Sequence, residues 1–523
     1  MASWFDWVRG KRVVERVPTD TVIPLGWLDD TKTNRSMILD FAMLFDDVLD
    51  EKKLIHALEK LVEKKGWKRL GGRLRLNAEG KLECHIPQEF STERPAVSFT
   101  HEKHATRIDE HPLASKLPRA DGSVQVSSGF EFLRPLLVAE GSPTKIEDFC
   151  FGDYAALNLR ILSFTDATLV IIKWPHVLFD AMSQNAIIKA WTAILEGRDQ
   201  DVPNLMGEQM SPLVSLGARL DLDDEHEERY VLEKKAITNS QFYKFAFNMI
   251  WELTLYRAEE SRMIMIPPPF FAKIRAEAMR DLEAMQDKSS LVMDTRNPDK
   301  PTPFLSDGDI LGAWMHRLFT SCQPWALTAP PTRIIHIMNM FNMNDVLRNT
   351  EPKILTKDDA FVGNAVTGVS TFFQLDEILA LPLGQVAARL RSDLAAQTTR
   401  PQINANMRLY RASYAATGQP PLFGEGADMV IAPFTNWDKG KFFDVDFSAA
   451  VVKGDGETAR KHVVGKPVGL YTMPSMQMLS IRNAAVCLGK DHDGNWWLGG
   501  TYREETWANV QRKLEEMKRG LYV

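Results

Sequence analysis

Cysteine is scarce in this chain: four residues in 523, Cys84, Cys150, Cys322 and Cys487, far apart and without partners at metal-finger spacing. That excludes a disulfide framework and a structural zinc knuckle, and it fits reduced, buried thiols in a cytoplasmic protein. An excess of positive charge is also missing. With 63 basic against 69 acidic residues and a net charge of −6, no field draws nucleic acid or an anionic membrane surface. Long apolar runs are absent too. Met1 to Arg12 lacks a signal-peptide core, the last residues Gly520 to Val523 carry no lipidation or peroxisomal signal, and Phe242 to Tyr256 is interrupted by Lys244, Asn248, Glu252 and Thr254. The last segment therefore predicts a core helix rather than a membrane span, and no stable membrane insertion. Phosphate-binding glycine loops are lacking, since neither Gly424-Glu-Gly426 nor Gly454-Asp-Gly456 fits a nucleotide fingerprint. His101, His104 and His111 lie close together in a polar stretch without the acidic, helical context of a zinc motif, so a surface loop and no metal are expected. No internal repeat is visible.

The strongest positive feature is Thr168 to Asp180: an apolar run, Pro175, then His176 four residues before Asp180, a spacing none of the other ten histidines shares. The run predicts a strand covered on both faces, and Pro175 ends it because it has no N–H to donate. Beyond it, Ile187, Ile188, Trp191 and Leu195 fall at helical spacing, with Asp180 placed as N-cap. A histidine held between a strand and a helix can serve as a general base near neutrality; the same residues also suit a core histidine beside a capping aspartate.

At 523 residues the length alone suggests roughly three domains of about 150 residues, yet no break that clean occurs. The one linker is Gly197 to Ser240, which contains the charged run Leu220 to Arg229, a solvated segment by composition. Around it, helices are predicted for Leu54 to Lys65 with Gly66 as its stop, Asp309 to Phe319 and Leu383 to Leu394, and strands for Arg333 to Phe341 and Phe361 to Phe373. Hairpins are predicted from Gly72 to Ile86 and between Ala484 to Gly489 and Trp496 to Tyr502. Strands and helices mix without a βαβ rhythm, which favours mixed sheets over a Rossmann fold or TIM barrel.

Several of these segments, in this order, resemble the BAHD-type acyltransferases of the fungal branch. They are Leu70-Gly-Gly-Arg-Leu74, His176 with Asp180, Ser261 to Pro267, Asp309 to Trp314, Phe361 to Val366, Leu383 to Ala388, and Thr435-Asn-Trp437 running on to Asp446 and Phe447. The resemblance implies a mixed α/β fold of two chloramphenicol-acetyltransferase-like domains around a central tunnel. It places the N-terminal domain at 1–205, a crossover linker at 206–245 and the C-terminal domain at 246–523, with about 446–470 packing on the N-terminal domain. It implies an O-acyltransferase that moves an acyl group, acetyl by expectation, from acyl-CoA to a hydroxyl of a fungal secondary metabolite, acting as a cytoplasmic monomer without a resident cofactor. Alternatives are a non-catalytic metabolite-binding relative, or a condensation-type enzyme with a carrier-bound donor.

Carried over by motif, His176 is the general base, Asp180 turns away to pair with Arg262, and Asp446 is a second structural aspartate. Thr435 and Trp437 face the reaction centre, where a hydroxyl and an indole N–H can stabilise an oxyanion, each donor worth about 3 kcal/mol. Gly363 and Asn364 lie near the pantetheine arm. Lys273, with Lys234 and Lys235, matches no motif; as basic side chains these are candidates for the CoA phosphates, and a solubilising surface role suits them equally. Ser448-Ala449-Ala450 stands where the family carries Gly-Trp-Gly.

Overall fold

The run from Thr168 forms the strand it predicts, and all eight residues of Thr168–Pro175 are buried. It is the middle of one of two principal sheets. In the computed structural model, residues 16–207, 209–218, 228–256, 258–289, 291–294, 302–452, 462–475 and 482–520 are described, without the side chain of residue 239. The sheets are built from β1 (Ile38–Phe45), β2 (Ser98–Lys103), β3 (Gln125–Val126), β4 (Asn158–Ser163), β5 (Thr168–Pro175), β6 (Glu259–Ile266), β7 (Ile334–Asn342), β8 (Val366–Gln374), β9 (Val430–Asn436), β10 (Gly469–Pro474), β11 (Ala484–Lys490) and β12 (Trp496–Arg503). Five strands order as β10-β1-β5-β4-β2, and seven as β8-β7-β9-β11-β12-β6-β3. Both sheets mix parallel and antiparallel pairs. Each sheet also takes a strand from the other half of the chain: β10 pairs with β1, and β3 with β6.

Helices α1 (Glu51–Glu63), α2 (Ala181–Leu195), α3 (Asn239–Leu255), α4 (Pro268–Ala284), α5 (Asp307–Cys322), α6 (Leu383–Gln397), α7 (Arg400–Thr417) and α8 (Glu504–Lys518) complete the frame. Local signals explain their ends. The Asp50 carboxylate accepts the N–H groups of Lys52 and Lys53 at the start of α1, and Gly66 beyond its end has φ +82°, a left-handed conformation that glycine adopts without strain. Leu54, Leu58 and Leu61 bury one face of α1, and α2 is fastened to it by the Trp191 indole N–H, which donates to the Leu54 carbonyl at 2.9 Å. Helices α4, α5 and α6 cover one face of the seven-stranded sheet, packing on Ile335, Ile337 and Phe434. Gly384 lets α6 approach α4 closely: a Cβ there would stand 2.1 Å from the Ala278 carbonyl oxygen. The opposite face, at Met263, Met265, Leu488 and Trp497, joins the core of the five-stranded sheet.

Three expectations change. The segment Phe242 to Tyr256 is helical but not core: of α3, Phe245 is buried while Tyr243 is 72% and Trp251 58% exposed. Its apolar residues run around most of the circumference, so periodicity names no buried side. His101 lies on edge strand β2, paired in parallel with β4, rather than in a loop, while His104 stacks on Phe164 and His111 meets the same ring edge-on. The strand expected from Phe361 begins at Val366, because residues 361–365 leave the ladder to bond elsewhere. Of the charged run, residues 220–227 lie outside the described residues. All four cysteines are buried and free, no helix among the described residues is long and apolar enough to cross a membrane, and no group of three metal-ligating side chains occurs among them.

Candidate active site

His176 follows the last residue of β5, where its backbone is held at both ends. Its N–H donates to the Met37 carbonyl at 2.8 Å, and its carbonyl accepts the Asn364 side-chain amide at 2.9 Å. The residue is half-buried, with Nδ1 sealed from solvent and free of hydrogen bonds. Burial holds the imidazole below its ordinary pKa; the nearby Asp180 carboxylate pulls the other way and is outweighed. The ring is therefore neutral at pH 7, the form that accepts a proton.

Asp180 caps α2, its Oδ1 accepting the Ser183 N–H at 2.9 Å. Its Oδ2 accepts the Asn342 side-chain amide at 2.9 Å and the Ala365 N–H at 3.1 Å. The expected partner, Arg262, is elsewhere: it lies on β6, bonded to Glu260 at 2.5 Å and stacked over Trp507. A pairing within one strand, with a carboxylate two residues away, is local and needs no reach to the histidine loop, so Asp180 is left to neutral donors. Burial accordingly raises its pKa, and the hydrogen bonds offset only part of that.

The irregular residues 361–365 stitch the two sheets together at this point. The Gly363 carbonyl accepts the Asp180 N–H at 3.2 Å and the Ser183 hydroxyl at 2.8 Å, and the Gly363 N–H donates to Ser183 Oγ at 3.2 Å. Gly363 itself faces the Phe361 ring, where a Cβ would come within 2.8 Å. Asn364 is buried, and its amide also donates to Asp29 Oδ1 at 2.9 Å. Asp29, Ser183 and Asn342 complete this join and had no distinguishing pattern in the sequence. Burial lifts the Asp29 carboxyl to about 6, against the pull of the Arg69 charge and the donors from Asn364.

Thr435 lies at the end of β9, and Trp437 follows its last residue. The indole N–H of Trp437 donates to Thr435 Oγ1 at 3.0 Å, so the pair is not two free donors: the indole proton is committed, and the threonine hydroxyl proton is the one left to give. Trp437 packs on Phe41 and Phe442 of the other sheet's core. Residues directly opposite in a ladder share a face. Thr435 stands beside Met340, and Met340 beside Gly368, in the row next to Asn342 and Val366. Thr435 is thus on the face from which Asn342 reaches Asp180.

Asp446 is partly exposed, accepts the Ser448 N–H at 2.9 Å and lies 3.8 Å from Lys466. Ser448-Ala449-Ala450 form a short 3₁₀ turn tied to the start of α1, where the Asp50 N–H donates to the Ala450 carbonyl at 2.8 Å. The turn presses on Gly465, whose Cβ would meet the Ser448 nitrogen at 2.3 Å. Lys273 is not brought to this site: it is exposed on α4, behind the sheet face opposite Thr435. Lys235 pairs with Glu425 at 2.7 Å, and Lys234 neighbours it on the same turn.

No family model matches the chain. Whole-length relatives do. "Acetyltransferase adrJ" of Penicillium roqueforti is 34% identical over 96% of this chain and 97% of its own, and "Acetyltransferase pyiB" of Pyricularia grisea 31% identical over 97% and 95%. "Transcriptional regulator calD" of Penicillium decumbens is 34% identical over 95% and 96%. Among solved structures, F. graminearum TRI101 complexed with coenzyme A and T-2 mycotoxin superposes with a TM-score of 0.64 at 13% identity, over 95% of this chain and 98% of that one. Vinorine synthase does so with 0.53 at 14%, over 96% and 95%. With the fold of these structures, and with relatives above 30% identity along nearly its whole length, the chain belongs to the fungal BAHD-type family of CoA-dependent acyltransferases.

Proposed function

We propose that the protein acetylates a hydroxyl of a fungal secondary metabolite, with acetyl-CoA as donor and His176 as general base. The observation that carries this reading is the fixed, neutral His176 at the junction of the two sheets. The acceptor's O–H proton passes to the imidazole as its oxygen attacks the thioester carbonyl. The oxyanion of the tetrahedral intermediate accepts the Thr435 hydroxyl proton in a hydrogen bond, with Trp437 fixing that hydroxyl through its indole N–H. Collapse breaks the C–S bond, the imidazolium returns its proton to the leaving sulfur, and the products are the ester and free CoA. No covalent acyl-enzyme is formed.

His176, Thr435 and Trp437 carry the chemistry on this reading, while Asp180, Asn342, Asp29, Gly363 and Asn364 position the histidine loop. The pantetheine arm runs past Gly363 and Asn364. The chain works as a cytoplasmic monomer of two lobes, 1–205 and 246–523 about the linker 206–245, with the stretch leading into β10 lodged on the first lobe as the β10–β1 pairing supports. The names of the relatives, and the coenzyme A and T-2 complex of TRI101, support a CoA donor and a small-molecule acceptor. The test is release of CoA thiol from acetyl-CoA on addition of terpenoid or polyketide alcohols. Alcohol-dependent release with a matching acetyl ester supports the reading, and thiol release that ignores the alcohol contradicts it.

A further inference from the structure

The two faces of the seven-stranded sheet differ sharply where β7, β8 and β9 lie together. On the helix-covered face Ile335, Ile337, Ala432 and Phe434 are buried. On the other face Met338, Met340, Ile431, Pro433 and Thr435, on inner strands, and Gly368, on edge strand β8, are only half-buried, while His336, Ser370 and Phe372 at the far end of that face are buried. Further along, at β11, β12 and β6, this same face is packed on the core of the five-stranded sheet. The sheet is therefore covered on one side of Thr435 and open on the other. An open strip running from the Asn342–Asp180 bond past Thr435 is a cleft floor, continuous with the reacting centre.

The chemistry of the floor is uniform. None of the residues that β7, β8 and β9 place on this face is an aspartate, glutamate, lysine or arginine, from His336 to Asn342, Val366 to Phe372 and Ile431 to Thr435 in alternation. His336, the one titratable group among them, is buried, bonded to Ser370 at 2.8 Å, and held neutral by burial. The three strands offer a charged acceptor such as an amino acid or sugar phosphate no counter-charge, and Lys235, whose Nζ lies 4.8 Å from the Phe372 ring, is already paired with Glu425; an apolar body does not require one. One contact defines the floor's shape. A Cβ built on Gly368 comes within 3.1 Å of both Cγ and Sδ of Met338, so the methionine lies down across the strand on the space that the glycine leaves. Methionine is unbranched and adaptable, and laid flat it leaves width above it.

Resting on the transferase reading above, we infer that Met338, lying over Gly368, sets the width of the acceptor pocket, and that the acceptor is an uncharged alcohol with a bulky apolar ring body. The acceptor's rings lie on Met338, Met340, Ile431 and Pro433, with its hydroxyl toward Thr435. Met338 is a specificity residue; it takes no part in proton transfer.

The test is binding without donor, so that no turnover intervenes. Cyclohexanol, decahydro-2-naphthol and 5α-androstan-3β-ol are titrated calorimetrically into wild type, Met338→Ala, Met338→Phe and Gly368→Ala, each checked for a cooperative melt. Wild type binds the larger alcohols more tightly. Met338→Ala raises the affinity ratio of the steroid to cyclohexanol by about tenfold, and Met338→Phe and Gly368→Ala lower it by about as much, the scale expected for one or two methylenes of pocket. Should Gly368→Ala not fold, the Met338 pair carries the comparison. The inference is overturned if no alcohol binds wild type, or if the ratio stays within about twofold across the folded Met338 variants. Acetyl-CoA added afterwards separates the two readings: selective binding without ester formation keeps the pocket and removes the transferase reading, while ester formation with an unchanged ratio does the reverse.

Discussion

Asn342 Nδ2 donates to Asp180 Oδ2 at 2.9 Å, joining a strand of the seven-stranded sheet to the cap of the helix that follows His176. The aspartate is thus held by an amide where a guanidinium was expected. A neutral donor satisfies an oxygen without cancelling its charge, which is why burial still raises the Asp180 pKa.

Asn342→Leu removes that donor and leaves a buried carboxylate oxygen with one partner fewer. We expect a loss of about 1–3 kcal/mol in urea unfolding and a fall in turnover as the histidine loop loosens. Arg262→Ala touches only the Glu260 pair and the Trp507 stacking, and should stay within about 1 kcal/mol with turnover near wild type. Equal damage from the two changes would contradict this assignment.

The Trp437–Thr435 bond makes the two residues unequal. Thr435→Val removes the last hydroxyl proton and should lower kcat by about 10²–10³ with the acceptor KM little changed, as for other oxyanion donors. Thr435→Ser restores most of it. Trp437→Phe leaves the hydroxyl in place but unaligned, so its loss should be smaller than that of Thr435→Val; a larger one would make the indole the donor.

What could be read from the sequence was whatever local chemistry decides. β5, the Asp180 cap of α2, the Asp50 cap and Gly66 stop of α1, and the turn of glycine-bearing hairpins depend on residues a few positions apart, and these elements lie where they were expected. The partner of Asp180 was not legible, because Asn342 and Asp180 are 162 residues apart and an asparagine at a strand end carries no pattern. Asp29, 335 residues from Asn364, was invisible for the same reason. Helix α3 failed differently: apolar content was plain, but which side it would bury was undetermined, and almost none is.

Proton uptake gives a signed prediction. His316 and His336 are buried, which pushes their pKa values down to about 3 and about 4, and His176 is lowered in the same sense. An unfolded histidine binds its proton near 6.5, so the unfolded chain holds more protons below that value and stability falls as pH drops from about 6.5 toward 4. Asp29 and Asp40 oppose this. Raised to about 6, they hold protons in the folded state that an unfolded aspartate takes up only near 3.8, a contribution lost as pH rises through 6. His316→Leu should therefore improve stability at pH 5 relative to pH 7 by about 2 kcal/mol against wild type, measured by urea unfolding. An unchanged difference would mean that His316 is not held neutral.

The same lowering acts on catalysis. A base must be unprotonated, so the acid limb of kcat/KM should fall below 6.5, the ordinary histidine value. Asp180→Asn removes the charge that favours the imidazolium and should shift the limb further down in pH. A shift upward would put the carboxylate's influence on His176 in the wrong direction.

The most direct measurement is acetyl transfer by His176→Ala, with acetyl-CoA binding followed in parallel by the rise in melting temperature it causes. A proton acceptor of this kind accounts for about 10²–10⁴ of a rate, so kcat should drop by that factor while the thermal shift with acetyl-CoA is preserved. A folded His176→Ala protein that still transfers acetyl at close to the wild-type rate would contradict the account at its centre.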